Sequence, residues 1–198
     1  MSAEATVAAA PGYPVRYDVE YPEELSRWLI FVKLLLAIPH FIILWALGIA
    51  AFVMGFIAFF AILFTGRYPR GLFDFVVGVN RWSANVDAYT ALLRDEYPPF
   101  SLEPGQYAVT YEVDYPEKLN RWLPLVKWWL LAIPHYIVLF ALGIAALVVY
   151  IIAWFAILFT KRYPRGLFDF IVGYRRWDYR VNAYTGLLRD EYPPFSLK

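Results

Sequence analysis

The chain has no cysteine, only two histidines and two methionines, and 18% of its 198 residues are charged. Without cysteine there is neither a disulfide framework nor a thiolate site, and nothing marks the redox compartment. Charge is scarce: soluble domains carry about a quarter charged residues. The formal net charge is +1, so composition makes no global case for nucleic-acid binding. No Gly-rich phosphate loop, nucleophile elbow or metal-ligand spacing occurs, and no Asp or Glu stands inside the apolar runs. Catalytic residues, a metal centre and a cofactor are therefore not expected.

Apolar and aromatic residues fill the space, at 61% and 20% of the chain, with eight Trp and sixteen Tyr. Both aromatic types concentrate where a membrane meets water. The segment 1–12 has no basic stretch ahead of a hydrophobic core, so it reads as a flexible lead and not as a cleaved signal peptide.

The chain is a tandem duplication. Tyr21-Pro22-Glu23-Glu24-Leu25-Ser26-Arg27-Trp28 returns as Tyr115-Pro116-Glu117-Lys118-Leu119-Asn120-Arg121-Trp122. Ala37-Ile38-Pro39-His40 returns as Ala132-Ile133-Pro134-His135, one residue later in register, and Arg94 to Leu102 returns as Arg189 to Leu197. Two copies of one module follow, over 13–102 and 107–198, joined by a linker at 103–106. Each copy opens with alternation, Val15, Tyr17, Val19 and Tyr21 against Arg16, Asp18 and Glu20, which predicts a short strand able to pair with its counterpart at 109–115.

An apolar region then runs from Trp28 to Thr65, interrupted only by Lys33 and His40. As one helix it would reach about 57 Å, roughly twice the ~30 Å hydrocarbon core of a bilayer. Two readings fit. In one, an interfacial helix to Ile38 precedes a single span from Pro39 to Thr65. In the other, the chain makes a hairpin, Trp28–Trp45 down and Ile49–Thr65 back, turning near Leu47-Gly48. The hairpin puts Arg27, Lys33, Arg67 and Arg70 on one face, as the positive-inside rule prefers. The expected fold is thus a mainly α integral membrane protein with two tandem parallel repeats. Each repeat contains a short strand, a transmembrane helical hairpin and an amphipathic interface helix. The last is predicted from Leu72, Phe75, Val76, Val79, Trp82, Val86, Tyr89 and Leu93 at three- and four-residue steps.

Candidate site residues fall into two groups. Arg67-Tyr68-Pro69-Arg70 and Arg162-Tyr163-Pro164-Arg165 end the apolar runs. Proline breaks the helix there, the tyrosines suit an interfacial belt, and paired guanidinium groups can grip phosphate. Arg67, Tyr68, Arg70, Arg162, Tyr163 and Arg165 are the candidate lipid-phosphate or interface anchors, the plainer alternative being arginines that snorkel to set depth. His40 and His135 lie inside the apolar runs, where an ionisable group suggests a midplane polar site. Their plainer role is to supply a donor to the carbonyl that Pro39 or Pro134 leaves free, at Leu35 or Leu130.

Arg27-Trp28, Ala37 to His40, Phe60 to Thr65, Arg67 to Phe75 and Asp95 to Phe100, each repeated in the second half, resemble the family of bacterial membrane proteins known as domain of unknown function 4389. The resemblance covers nearly the whole chain and implies a membrane protein without implying an activity. The expected function is a non-enzymatic membrane accessory or scaffold subunit that docks on a larger membrane complex, organises anionic lipid, or both. A small transporter or channel using His40 and His135 is the alternative, and a lipid-active enzyme the third reading. The expected location is the bacterial cytoplasmic membrane, multi-pass, with the basic anchors on the cytoplasmic side and no nucleic-acid partner.

Overall fold

The computed structural model describes residues 12–198; the lead expected over 1–12 lies outside the described residues except for Gly12. The elements in order are β1 (Val15–Val19), α1 (Leu29–Leu36), α2 (Ile38–Thr65), α3 (Arg70–Thr90), β2 (Val109–Val113), a 3-10 turn (Leu123–Leu125), a π turn (Lys127–Leu131), α4 (Ile133–Thr160) and α5 (Arg165–Thr185).

The hairpin expected within each apolar run is not formed. Helix α2 continues unbroken through Leu47 and Gly48, and α4 through the matching Leu142 and Gly143. An interior glycine weakens a helix by about 1 kcal/mol. A turn there would cost more, because no polar side chain stands nearby to satisfy the opened backbone. The break falls instead at Ala37, just before Pro39 in the first turn of α2. Proline is tolerated there because the first N–H groups of a helix have no internal partner.

The extra residue of the second copy is absorbed locally. In the first copy the Ala37 N–H donates to Lys33 O, four residues back, at 2.9 Å; in the second the Ala132 N–H donates to Lys127 O, five residues back, at 3.0 Å. A single inserted residue thereby converts α-helix into a π turn.

The repeats are not parallel. β1 and β2 pair antiparallel with Tyr17 opposite Tyr111, its own counterpart, and Val15 opposite Val113. Equivalent residues paired antiparallel require a local twofold axis, and contacts elsewhere follow it. The Leu25 N–H donates to Lys161 O as the Leu119 N–H donates to Gly66 O, both at 2.8 Å. The Arg176 Nε donates to Tyr17 O at 2.8 Å, and the Arg81 Nε to Tyr111 O at 3.1 Å. Each strand therefore lies on the long polar-faced helix of the other repeat, β1 on α5 and β2 on α3.

Helices α3 and α5 pack in turn on α2 and α4. The apolar stripe expected to lie in a membrane interface is largely covered by the protein itself, with Val76, Val79, Trp82, Val86, Tyr89 and Leu93 buried and Leu72 and Phe75 half-buried. The unpartnered apolar surface belongs to α2 and α4, where Trp45 is 72% exposed, Phe52 76% and Phe140 74%. The stretch Leu29–Thr65, α1 with α2, and helix α4 are each long and apolar enough to cross a membrane, and only 11% and 17% of their most apolar stretches are buried, unlike the core helix of a soluble protein.

The two tails are pinned by matching devices. Arg81 donates to Leu102 O at 2.7 Å and Arg176 to Leu197 O at 3.0 Å, while glycines three residues earlier let the tail approach. A Cβ on Gly173 would meet Leu197 O at 2.7 Å, and one on Gly78 would meet Leu102 Cβ at 3.0 Å. Gly173→Ala should therefore lower stability by about 1–3 kcal/mol through overpacking, and Gly78→Ala by less. Thermal unfolding in mild detergent checks the order; a Gly173→Ala midpoint at or above the parent value would contradict it.

Candidate functional site

The basic motifs lie at two corners where the start of one repeat meets the end of the long apolar helix of the other. Helix α2 ends at Gly66, whose φ of 71° is the left-handed geometry that caps a helix. Lys161 takes the same place after α4 with φ 60°, a conformation costing a side-chain-bearing residue about 1–2 kcal/mol. Arg27 donates to Phe159 O at 3.1 Å, placing it beside Lys161. Residues 24–28 and Lys161 enclose a cleft of about 440 Å³.

The structure divides the anchor residues by role. Arg67 and Arg162 are exposed, and among the described residues neither guanidinium makes a hydrogen bond or ion pair, the Thr65 and Thr160 hydroxyls holding only their backbones. Arg70 pairs with Asp74 at 3.0 Å and stacks over Tyr115 at 4.6 Å; Arg165 pairs with Asp169 at 3.1 Å and stacks over Tyr21 at 4.6 Å. Both of these ion pairs are solvent-exposed and contribute little to stability. Tyr68 and Tyr163 correct the expectation of a surface belt, being 0% exposed and edge-on to Phe73 and Phe168. Burial pushes the Tyr68 phenol up to about 12. Their backbone carbonyls are the sites in contact, accepting the hydroxyls of Tyr115 and Tyr21 at 2.5 Å. The tyrosine of each Tyr-Pro entry thus seats the exit motif of the other copy.

The two histidines do not share a site. His40 and His135 are the third residues of α2 and α4, each fully buried in an aromatic box of its own repeat. Trp82 Nε1–H donates to His40 Nδ1 at 3.0 Å and Trp177 Nε1–H to His135 Nδ1 at 3.1 Å. Phe100 stacks on His40 at 4.0 Å and Phe195 on His135 at 4.2 Å. Nor does either imidazole reach the carbonyl expected to be freed at Leu35 or Leu130, since its Nε2 is buried without a partner; the neighbouring Leu36 and Leu131 carbonyls accept from the Tyr97 and Tyr192 hydroxyls at 3.0 and 3.2 Å. The Asp-Glu-Tyr-Pro-Pro-Phe tails therefore act as lids over the histidines.

Two buried lysines, assigned no part in a site by the sequence, latch each helix start to its tail. Lys33 Nζ lies 2.8 Å from Asp95 and donates to Arg94 O at 2.6 Å; Lys127 Nζ lies 2.5 Å from Asp190 and donates to Arg189 O at 2.7 Å. The same carboxylates accept backbone N–H groups from Ser26 and Asn120 at 2.5 and 2.6 Å. The aromatic partners Tyr89 and Tyr184 complete each seat at 5.0 and 4.8 Å. A charge inside an apolar run, recurring with a tail carboxylate, was the signal available in sequence.

At the seam between repeats the twofold is broken. Arg175 lies 3.5 Å from Asp87, which also accepts the Tyr179 hydroxyl at 2.7 Å. Tyr179 stacks beneath Tyr17 of the ribbon at 4.9 Å. The first copy has Asn80 and Ala84 at the places of Arg175 and Tyr179, so this network exists once. Burial raises the Asp178 carboxyl above the usual carboxylate range, with Arg175 opposing the shift.

A family model described as "Domain of unknown function (DUF4389)" matches residues 27–101 and 124–196. Both matched segments begin after the strand of their repeat. No curated protein and no solved structure matches the chain.

Two changes test the energetics of these seats. Lys33→Met should destabilise the protein by roughly 3 kcal/mol, because it strands the Asp95 carboxylate, and Lys33→Met with Asp95→Asn should recover part of the loss in denaturant unfolding. For Asp178 the folded value lies above the unfolded one, so its contribution to stability is present at low pH and lost as pH rises through the folded value. Asp178→Asn should therefore raise the unfolding midpoint at pH 7, with the gain shrinking as pH falls towards about 4.

Proposed function

The chain belongs to the DUF4389 family, carried as two tandem copies, and from that premise we propose that it is a non-enzymatic membrane scaffold that organises anionic lipid. In this reading α1, α2 and α4 lie in the plane of one leaflet, with α3, α5 and the ribbon above them. The observation that carries it is the apolar face of α2 and α4 on the side away from the ribbon, with the basic corners at its two ends.

Charge placement argues for in-plane embedding over two crossings. The start of each long helical stretch is tied to the end of the other, so α1–α2 and α4 run in opposite directions. Were they both to cross, the twofold would lie in the membrane plane. The ribbon would then sit beside the middle of the spans, with Arg16, Glu112 and Asp114 at bilayer depth. Such charges cost at least about 2.5 kcal/mol each there. Laid flat, the same helices bury their aromatic and aliphatic side chains in acyl chains, as an interfacial helix does. Arg27, Arg67, Arg121 and Arg162 then reach one layer of phosphates, and Trp28 and Trp122 enter the interface beside them. Lys161 supports the lipid role further: a strained lysine stands where the first copy has an unstrained glycine.

Because the chain lacks cysteine, single cysteines at positions 27, 67, 121 and 162 report topology without background. A membrane-impermeant maleimide should label all four from the cytoplasmic side; labelling of 27 and 67 from opposite sides would establish a crossing and overturn the in-plane reading. Arg67→Gln with Arg162→Gln should lower the ratio of anionic to zwitterionic lipid retained on purification, at about 1 kcal/mol per arginine. An unchanged ratio would remove the lipid role.

A further inference from the structure

The seam that breaks the twofold also contains a cavity of about 500 Å³, within the roughly 300–1,000 Å³ typical of small-molecule sites. We propose that it binds a single-chain amphiphile with an oxyanion head, the head at Arg175 and Tyr150 and the tail along α4 towards the apolar face.

Three observations define that ligand. The first is the walls: Ile30, Ile151, Trp154 and Phe155 are apolar, and Leu34, Ile151 and Phe155 are exposed on the outer apolar face. A chain entering from lipid meets no polar barrier there. The second is the unsatisfied hydrogen bonding at the inner end. Arg175 Nε is buried without an acceptor, the Tyr150 hydroxyl lies against the same guanidinium, and Arg175 keeps 23% exposure with the Asp87 carboxylate at 3.5 Å and Asp178 nearby. A guanidinium only donates, so the ligand must supply acceptor oxygens, which a carboxylate or phosphate does best. Lys33 also borders the cavity, but Asp95 and Arg94 O already occupy its ammonium.

The third observation is the other copy. At the places of Tyr150 and Arg175 it has Gly55 and Asn80, and at the places of Leu34 and Ile151 it has the bulkier Trp128 and Phe56. The cation and hydroxyl are missing there and two wall positions carry larger side chains, while Phe59 and Pro124 are smaller than the Trp154 and Ile30 they match. A purely structural seam has no need of this difference between copies. A site for one ligand per chain does.

The proposal requires the apolar face to meet lipid, but not the in-plane orientation, so the two can fail separately. Its test uses the full chain in phospholipid nanodiscs, with dibrominated stearic acid as a quencher of Trp154. Quenching should contain a saturable part, above the linear quenching of the lipid-facing tryptophans, and that saturable part should disappear in Trp154→Phe. It should weaken at least tenfold in Leu34→Trp with Ile151→Phe, which imports the side chains of the other copy and touches no ion pair. Arg175→Asn should weaken the acid about tenfold while changing the matching dibrominated alcohol less than twofold. A dibrominated monoacyl phosphate run in parallel assigns the head: tighter binding than the acid means a phosphate ligand, weaker binding a carboxylate. Quenching that rises without saturation, or that is unaffected by filling the cavity, overturns the site.

Discussion

Each half of this molecule is held in place by the other. The hydrogen bonds from Leu25 to Lys161 and from Leu119 to Gly66, with the hydroxyls of Tyr21 and Tyr115 on the carbonyls of Tyr163 and Tyr68, tie every helix start to the opposite helix end. A two-stranded ribbon is marginal by itself. Here it is the visible part of an exchange in which each strand covers the partner's helix. The apolar face of α2 and α4, the placing of the basic corners and the seam cavity at Arg175 all follow from that exchange.

The duplication, the proline breaks and the alternating strand segments were legible in the sequence because each is a local signal. The relation between the copies was not. A repeat read along the chain suggests two copies pointing the same way, and charge bias then favours a hairpin within each. A twofold brings the basic end of each straight helix beside the basic start of the other without any hairpin. Tyr68 illustrates the same limit. A tyrosine between arginines at the end of an apolar run suits an interface, but whether its ring faces lipid or Phe73 depends on where Pro69 turns the chain. The partners of His40 were equally hidden: Trp82 and Phe100 come from 42 and 60 residues away, and no periodicity links them.

The copies share their scaffold and differ at their seams. Lysine latches, histidine boxes, tail clamps and exit motifs recur with nearly equal distances, which marks them as requirements of the fold. Gly66 against Lys161, Asn80 against Arg175, and Gly55 against Tyr150 are departures from that pattern, and they place charge and hydroxyls on one side only. After duplication a position can change in one half while the other keeps the structure. Such differences are where a role beyond stability is best sought.

The π turn at Lys127–Leu131 has a mechanical meaning. One added residue in an ideal helix turns everything beyond it by about 100°, enough to swing a side chain from the interior to the exterior. Widening a single loop of the helix cancels that rotation, so Lys127 and His135 keep their bearings on either side of it. The segment behaves as a phase compensator between two fixed keys. Length changes at this joint should be tolerated, whereas the same change a few residues further into α4 would turn its greasy side inward.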